Sequence, residues 1–326
     1  MNIPGLGDLP EGCGLVPLPE AGGGRFHAGA EGVKSIAATR DGKVELISFA
    51  GHSLAYVGSV LGCGAFYPVH PVRLEPPVRA VLMDLDGTTV RSEGFWIRIL
   101  EMTVGELKGD PALRFGKEDL PFVSGHSVSE HLMYCIHKYC PGKSLEAARS
   151  LYLLHARREM AEILAGRGMK GAFAPSHGVG KLLLELKAMG IKVALVTSGL
   201  YEKAYPEILS AFDSLGFGDP RDFYDCIITA GFPLGKGRPG TLGELCPKPH
   251  PWLYAEACRV GLGIGFEERG AVVGIDDSGA GVCSIRLAGY TAIGMAGGNI
   301  IESGARALCG RYCETFEDVM RYIRGR

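Results

Sequence analysis

Val81-Leu82-Met83-Asp84-Leu85-Asp86-Gly87-Thr88-Thr89-Val90 is an apolar run that stops abruptly on two carboxylates and a glycine. A short apolar run bounded by turn residues reads as a buried strand, here over 78–83. Carboxylates two positions apart lie on the same side of a strand, so Asp84 and Asp86 face one site where it ends. Val193-Ala194-Leu195-Val196-Thr197-Ser198-Gly199 has the same form with hydroxyls at its end, and Val272-Val273-Gly274-Ile275-Asp276-Asp277-Ser278-Gly279 has it with adjacent acids. Cys246-Pro247-Lys248-Pro249-His250-Pro251 sets a lysine between prolines at the entrance to a helix.

Working outward, the spacing of apolar residues predicts strands over 191–196, 225–230, 270–275 and 291–295. It predicts helices over 202–215, 251–260 and 279–288, another from a Ser176 cap to 189, and a last one capped by Thr315. Apolar strands alternating with amphipathic helices indicate an α/β fold, a Rossmann-like parallel sheet with helices on both faces. Ligands of such sheets bind beyond the carboxyl ends of the strands, so the polar clusters converge. Three helical stretches, 94–107, 127–139 and 144–165, interrupt the alternation directly after the first strand. They read as an inserted helical domain over 94–175, within a core made of 77–93 and 176–326.

Residues 1–76 form a Gly/Pro-rich and then β-rich extension. Ile36-Ala37-Ala38-Thr39 and Val44-Glu45-Leu46-Ile47 flank Asp41-Gly42, a strong hairpin signal. Glu75-Pro76-Pro77 reads as a linker. The extension is a small module packed on the core, a dimerisation element or a second lid.

Each polar cluster has a chemical use. Adjacent acids ending an apolar strand are costly unless they meet a cation or hydrogen-bond donors, and hard oxygen ligands suit Mg²⁺. Thr197, Ser198 and Gly199 can present O–H and backbone N–H groups to a phosphate oxygen. An ammonium at Lys248 can offset both a phosphate and a nearby carboxylate.

In this order, Asp84-Leu85-Asp86-Gly87-Thr88-Thr89-Val90, Thr197-Ser198-Gly199, Lys248-Pro249-His250-Pro251 and Asp276-Asp277-Ser278-Gly279-Ala280-Gly281 resemble the four motifs of the haloacid dehalogenase superfamily. The last is similar to the form found among relatives of beta-phosphoglucomutase. The resemblance spans 78–326. It implies that Asp84 is a nucleophile that becomes an aspartyl-phosphate. It also implies that Asp86 protonates the leaving oxygen, deprotonates water and offers its backbone carbonyl to Mg²⁺. Asp277 and Asp276 would complete the metal site, and Thr197, Ser198, Gly199 and Lys248 would hold the phosphoryl group. An acid at position 86 favours phosphate-ester chemistry, because an oxygen leaving group needs a proton.

The insertion resembles a C1-type helical cap. Glu93 and Trp96 beside the first motif, His126 within Gly125-His126-Ser127, and Lys236 and Arg238 are candidate substrate contacts. The last two lie in 232–246, which is either a substrate-facing loop or a surface insertion. The expectation is a Mg²⁺-dependent phosphatase for a small phosphorylated metabolite of the sugar or nucleoside phosphate type. A phosphomutase similar to beta-phosphoglucomutase and a non-catalytic binding or scaffold protein are the alternatives.

Composition narrows the partners. The 326 residues carry 34 Lys+Arg against 36 Asp+Glu, a net charge of -2, which disfavours a nucleic-acid binder that neutralises phosphates along a basic face. Residues 46–69 lack charged side chains but alternate as strands do, so no membrane span is expected. The 10 cysteines contain no CxxC pair, which suits reduced thiols, and 1–25 show no secretory signal pattern. The reading is a cytoplasmic chain with its oligomeric state open.

Overall fold

The computed structural model describes residues 1–10, 12–58, 64–123, 128–169, 171–230, 240–241 and 245–325. In the extension, β1 (Asn2–Ile3) pairs with β2 (Gly7–Asp8), β3 (Val16–Leu18) follows, and β4 (Glu20–Ala21) pairs with β5 (Phe26–His27). With β6 (Ser35–Ala38), β7 (Val44–Ser48), β8 (Ser53–Val57) and β9 (Ala65–Pro68), an antiparallel sheet forms in the order β3-β6-β7-β8-β9. The expected hairpin joins β6 to β7. Thr39 Oγ1 donates to Asp41 Oδ1 at 2.6 Å across its turn, and Gly42 takes the left-handed backbone, φ +67°, that the turn requires.

The period of two sorts this sheet's side chains. Val44, Leu46, Ala55, Val57 and Tyr67 face one way and share a single apolar cluster with Ala80, Leu82, Leu253 and Tyr254 of the following chain. Ile36 and Ile47 face the other way, onto Ala21 and Val33 and a set of aromatic rings that includes Phe26 and Phe66.

The rest of the chain runs β10 (Ala80–Asp84), β11 (Val90–Arg91), α1 (Glu93–Lys108), α2 (Leu120–Val123), α3 (Val128–Tyr139), α4 (Leu145–Leu164) and β12 (Ala174–Pro175). It continues with α5 (Val179–Ala188), β13 (Lys192–Leu200), α6 (Tyr201–Leu215), α7 (Pro220–Phe223), β14 (Cys226–Ala230) and α8 (Trp252–Glu256). It closes with β15 (Val272–Asp276), α9 (Gly279–Leu287), β16 (Thr291–Met295), β17 (Arg311–Cys313) and α10 (Phe316–Ile323). Among the described residues, six strands form a parallel sheet in the order β14-β13-β10-β15-β16-β17. Strands β10, β15 and β16 are buried along their whole length, as a sheet covered on both faces demands. The chain leaves β10 toward β13 on one side and returns to β15 on the other. That reversal makes the carboxyl end of β10 the switch point where ligands bind.

Local expectations met three corrections. Strand β13 extends past 196 to Leu200, because pairing with β14 resumes at Leu200 and Ala230 after an irregularity; Thr197, Ser198 and Gly199 therefore lie within the strand. Ser176 does not cap the helix expected to reach 189. Gly178 occupies the cap with φ +83°, and only the backbone carbonyl of Ser176 accepts, from Val179 N–H at 3.0 Å. The helix expected over 251–260 loosens after Glu256 into a π-type turn at Ala257–Gly261.

The chain divides into two compact units. Val90–Pro175 with Tyr205–Phe217 forms a helical unit, in which α1, α3 and α4 pack together. There the buried Asp119 carboxylate accepts from Lys138, Tyr134, Tyr139 and the Gly116 amide. Burial alone would raise its pKa, but these donors outweigh it and hold the group at about 2. Met1–Thr89, Ser176–Ala204 and Gly218–Arg326 form the other unit, which joins the N-terminal sheet to the parallel one.

Glu75-Pro76-Pro77, read as a linker, is fastened within that unit. Glu75 N–H donates to Gly270 O at 2.7 Å and Arg79 N–H to Ala271 O at 2.8 Å. The buried Arg286 guanidinium of α9 donates to the carbonyls of Gly5 and His70, at 3.0 and 3.3 Å. The described cysteines are free thiols, and among the described residues no helix is long and apolar enough to cross a membrane.

The shared cluster predicts cooperative loss. Leu46→Ala removes a side chain that is 1% exposed, which costs about 2–5 kcal/mol. Urea unfolding followed at Trp252 in a Trp96→Phe background is expected to report this loss although Leu46 lies in the other sheet. An unmoved Trp252 transition would contradict a common core.

Candidate active site

Register brings the polar strand ends level. Asp84 pairs with Val196 on one side of β10, and Met83 pairs with Ile275 on the other, one residue before Asp276. The loop after β14 brings in Lys248, whose Nζ lies 2.5 Å from Asp84 Oδ1 and 2.8 Å from Asp276 Oδ2. The same ammonium donates to Val196 O at 3.4 Å and stands 5.0 Å above the Tyr254 ring.

Asp276 is fully satisfied. Oδ2 accepts from Lys248 and from Tyr254 Oη at 2.7 Å, while Oδ1 accepts from the Ser278 amide at 2.9 Å and hydroxyl at 2.7 Å. Asp277 accepts from Thr88 Oγ1 at 3.1 Å. Two glycines make the crowding feasible. A Cβ at Gly87, whose φ is +82°, would stand 2.2 Å from Asp277 Oδ2, and one at Gly281 would stand 1.8 Å from Asp276 Oδ2.

Oxygen atoms of Asp84, Asp276 and Asp277 all lie within 4.8 Å of one another. Burial, then the Asp276 charge, pushes the Asp84 carboxyl well above the usual range, against the pull of Lys248. Burial, then Asp276, likewise raises Asp277 to about 7. Burial disfavours the Lys248 ammonium, but Asp276 and Asp84 outweigh it and hold its pKa above the ordinary lysine value. Burial first and then the Asp276 charge keep the Tyr254 phenol protonated. Three carboxylates facing one ammonium leave negative charge in excess, and an all-oxygen donor set fits a hard divalent cation. Asp84 and Asp277 hold the freer oxygens for one.

The second strand end is divided between two tasks. Thr197 Oγ1 accepts from the Gly199 amide at 2.9 Å, which leaves its proton to donate. Ser198 Oγ accepts from the Lys248 amide at 3.1 Å and so ties the two loops together. The Asp86 side chain is paired with Lys203 at the start of α6, at 3.1 Å.

Lys203, Tyr254, Thr88 and Ser278 are the participants that motif reading left without a role. Lys203 and Tyr254 had a faint signal: Lys203 follows the Thr197-Ser198-Gly199 end by one helical turn, and Tyr254 sits six positions beyond Lys248. Glu93 and Trp96 belong to the helical unit, where Trp96 Nε1 donates to Glu207 Oε1 at 3.2 Å. His126, Lys236 and Arg238 lie outside the described residues.

A raised carboxyl pKa ties cation binding to pH. Asp277 moves from an ordinary value of 3.8 to about 7. In the cation-free protein its ionisation therefore penalises folding increasingly as pH climbs between those values. A bound dication relieves that penalty, so Mg²⁺ is expected to raise the melting temperature more at about pH 8 than at about pH 5.5. Asp277→Asn is expected to flatten the difference, and an equal shift at both pH values in the unsubstituted protein would refute the link.

A family model described as haloacid dehalogenase-like hydrolase matches residues 78–289. No curated protein matches the chain. Among solved structures, CbbY from Rhodobacter sphaeroides in complex with phosphate is 20% identical, with a TM-score of 0.53 over 74% of this chain and 96% of its own. A predicted phosphoglycolate phosphatase from Haemophilus somnus 129PT is 16% identical, with a TM-score of 0.55 over 76% and 98%. A candidate beta-phosphoglucomutase from Thermotoga maritima is 18% identical, with a TM-score of 0.53 over 76% and 99%. At these identities the likeness is one of fold.

Proposed function

The chain belongs to the haloacid dehalogenase-like hydrolases, and from that premise we propose that it is a Mg²⁺-dependent phosphatase of small phosphorylated metabolites. The observation that carries the proposal is the Lys248 ammonium set between the buried Asp84 and Asp276 carboxylates at a sheet switch point, with Asp277 alongside. Transfer of a phosphoryl group needs an aligned nucleophile and cations around the equatorial oxygens. Asp84 is the nucleophile. Lys248 and the Thr197 hydroxyl, with backbone N–H groups near Gly199, receive the transferring group.

In the first step a carboxylate oxygen of Asp84 bonds to phosphorus while the phosphorus–oxygen bond to the substrate breaks. Asp86 gives the departing oxygen its proton. In the second step Asp86 takes a proton from water, the water oxygen bonds to phosphorus and the Asp84–phosphorus link breaks. Inorganic phosphate leaves and both acids return to their starting states.

Asp84 and Asp277 would hold Mg²⁺ through side chains and Asp86 through its backbone carbonyl; Asp276 instead anchors Lys248 and Tyr254. When bound, the ion supplies the positive charge that favours ionised Asp84 and offsets the phosphoryl oxygens. Residues 94–175 are given the part of a cap, with Glu93, Trp96 and His126 as the candidate substrate contacts. A variant of CbbY is solved with xylulose-(1,5)bisphosphate, which supports sugar phosphates as the class to test first.

Phosphate release across sugar and nucleoside phosphates, sugar bisphosphates included, is expected to depend on Mg²⁺ and stop with EDTA. Asp84→Asn is expected to lower turnover by about 10³-fold or more with the fold intact. An Asp84→Asn protein as active as the unsubstituted one would remove Asp84 from the reaction. Activity lost to neither EDTA nor this substitution would overturn the proposal.

Lys203→Met removes the Lys203–Asp86 ion pair. It is expected to lower turnover by about tenfold while leaving the Mg²⁺-induced rise in melting temperature unchanged. Unchanged turnover would show that the Lys203 pair is incidental.

A further inference from the structure

The family model begins at residue 78, so it accounts for none of the N-terminal sheet, yet that sheet touches the loop that carries Lys248. Tyr67, the third residue of β9, is 8% exposed and faces the shared core. Its hydroxyl lies 2.7 Å from His250 Nδ1, across 183 positions of sequence. His250 is buried and two residues past the lysine. Its Nε2 has no hydrogen-bond partner among the described residues, so Tyr67 is the ring's polar attachment.

The backbone around His250 is held as well. The His250 amide donates to Pro247 O at 3.1 Å, closing the turn over Lys248 and Pro249. Its carbonyl accepts from Ser284 Oγ at 2.6 Å. Trp252 packs edge-on against the Tyr67 ring, with centroids 5.8 Å apart. The turn thus has three fastenings: Ser198 on Lys248, Ser284 on the His250 carbonyl and Tyr67 on the His250 ring. The first two come from the parallel sheet and its helices, the third from the extension.

We propose that Tyr67 is a positioning residue: through His250, the N-terminal sheet fixes the turn that sets the Lys248 ammonium between Asp84 and Asp276. The inference rests on the role given to Lys248 above. A lysine side chain has four rotatable carbons and no preferred pose of its own, so its placement depends on how rigidly its backbone is held. The extension makes a second contact of the same kind. Arg40 N–H donates to Ser303 O at 2.7 Å, and Ser303 Oγ is where a Cβ on Gly279, two residues after Asp277, would collide, at 2.0 Å. Of the three readings open for residues 1–76, a module packed on the core is the one these contacts support, and its work is to brace two of the site's loops.

The test compares the full-length protein with Tyr67→Phe, which keeps the ring and removes the hydroxyl. Hydrogen exchange at 246–251 is expected to quicken about tenfold while β10 and β15 are unchanged. With p-nitrophenyl phosphate as the probe, kcat is expected to fall about tenfold with KM within about twofold. His250→Leu is expected to match this loss, His250→Asn to restore much of it by replacing Nδ1 with an amide atom, and Tyr67→Phe/His250→Leu to be no worse than either alone. Phe49→Leu, on the opposite face of the same sheet, is expected to leave kcat unchanged. Unaltered exchange at 246–251, additive losses in the double variant, or faster exchange spread equally over β10 and β15 would each overturn the proposal. An unsubstituted protein that fails to turn over the probe counts against the phosphatase reading, while the exchange comparison still decides the role of Tyr67.

Discussion

Lys248 lies between two carboxylates that have been taken almost wholly out of water, and the rest of this unit is arranged around that contact. An ionised carboxylate removed from water loses several kcal/mol of hydration, and a single partner recovers it only with good geometry and further hydrogen bonds. Asp276 meets that condition through four donors from Lys248, Tyr254 and Ser278. Asp84 and Asp277 do not, and burial beside the Asp276 charge pushes the pKa of each upward. Three carboxylates around one ammonium leave the site with a deficit of positive charge.

Sustaining such a cluster takes precision in the backbone beneath it. Gly87 and Gly281 stand where a single methyl group would collide with Asp277 and Asp276. Strand β10 lies between β13 and β15, so Asp84, Thr197 and Asp276 reach the same level without any loop having to stretch. The lysine comes from an irregular loop instead, and a loop needs external support. Ser198, Ser284 and Tyr67 give it from three directions.

The N-terminal sheet belongs to this support. Its inward face merges with the apolar cluster under the parallel sheet, and the buried Arg286 binds the carbonyls of Gly5 and His70 to α9. A residue with that guanidinium's burial holds its pKa at about 10, below the ordinary arginine value, because it has lost water. The two sheets therefore share one apolar core and are tied together by hydrogen bonds.

The alternation of strands and helices, the inserted helices and the acids and lysine of the candidate site were legible along the chain because each is a local pattern, whereas the short strand β17 (Arg311–Cys313) was not. An apolar run ending in Asp-Leu-Asp or Asp-Asp states its own burial and its own cost, and period two or 3.6 states the element. Where local pattern ran out, the reading erred in consistent ways. Ser176 looked like a cap, but Gly178 took the left-handed backbone the turn needs; the second strand looked finished at Val196, but pairing with β14 carried it to Leu200. Partnerships between residues far apart were set by packing alone: Lys203 with Asp86, Tyr254 with Asp276, Tyr67 with His250. A tyrosine in a hairpin and a histidine between prolines carry no mark of each other, since a hydrogen bond depends on a distance of about 3 Å that no spacing along the chain encodes. The chain by itself determined which chemistry is present, and folding determined which side chains hold it in place.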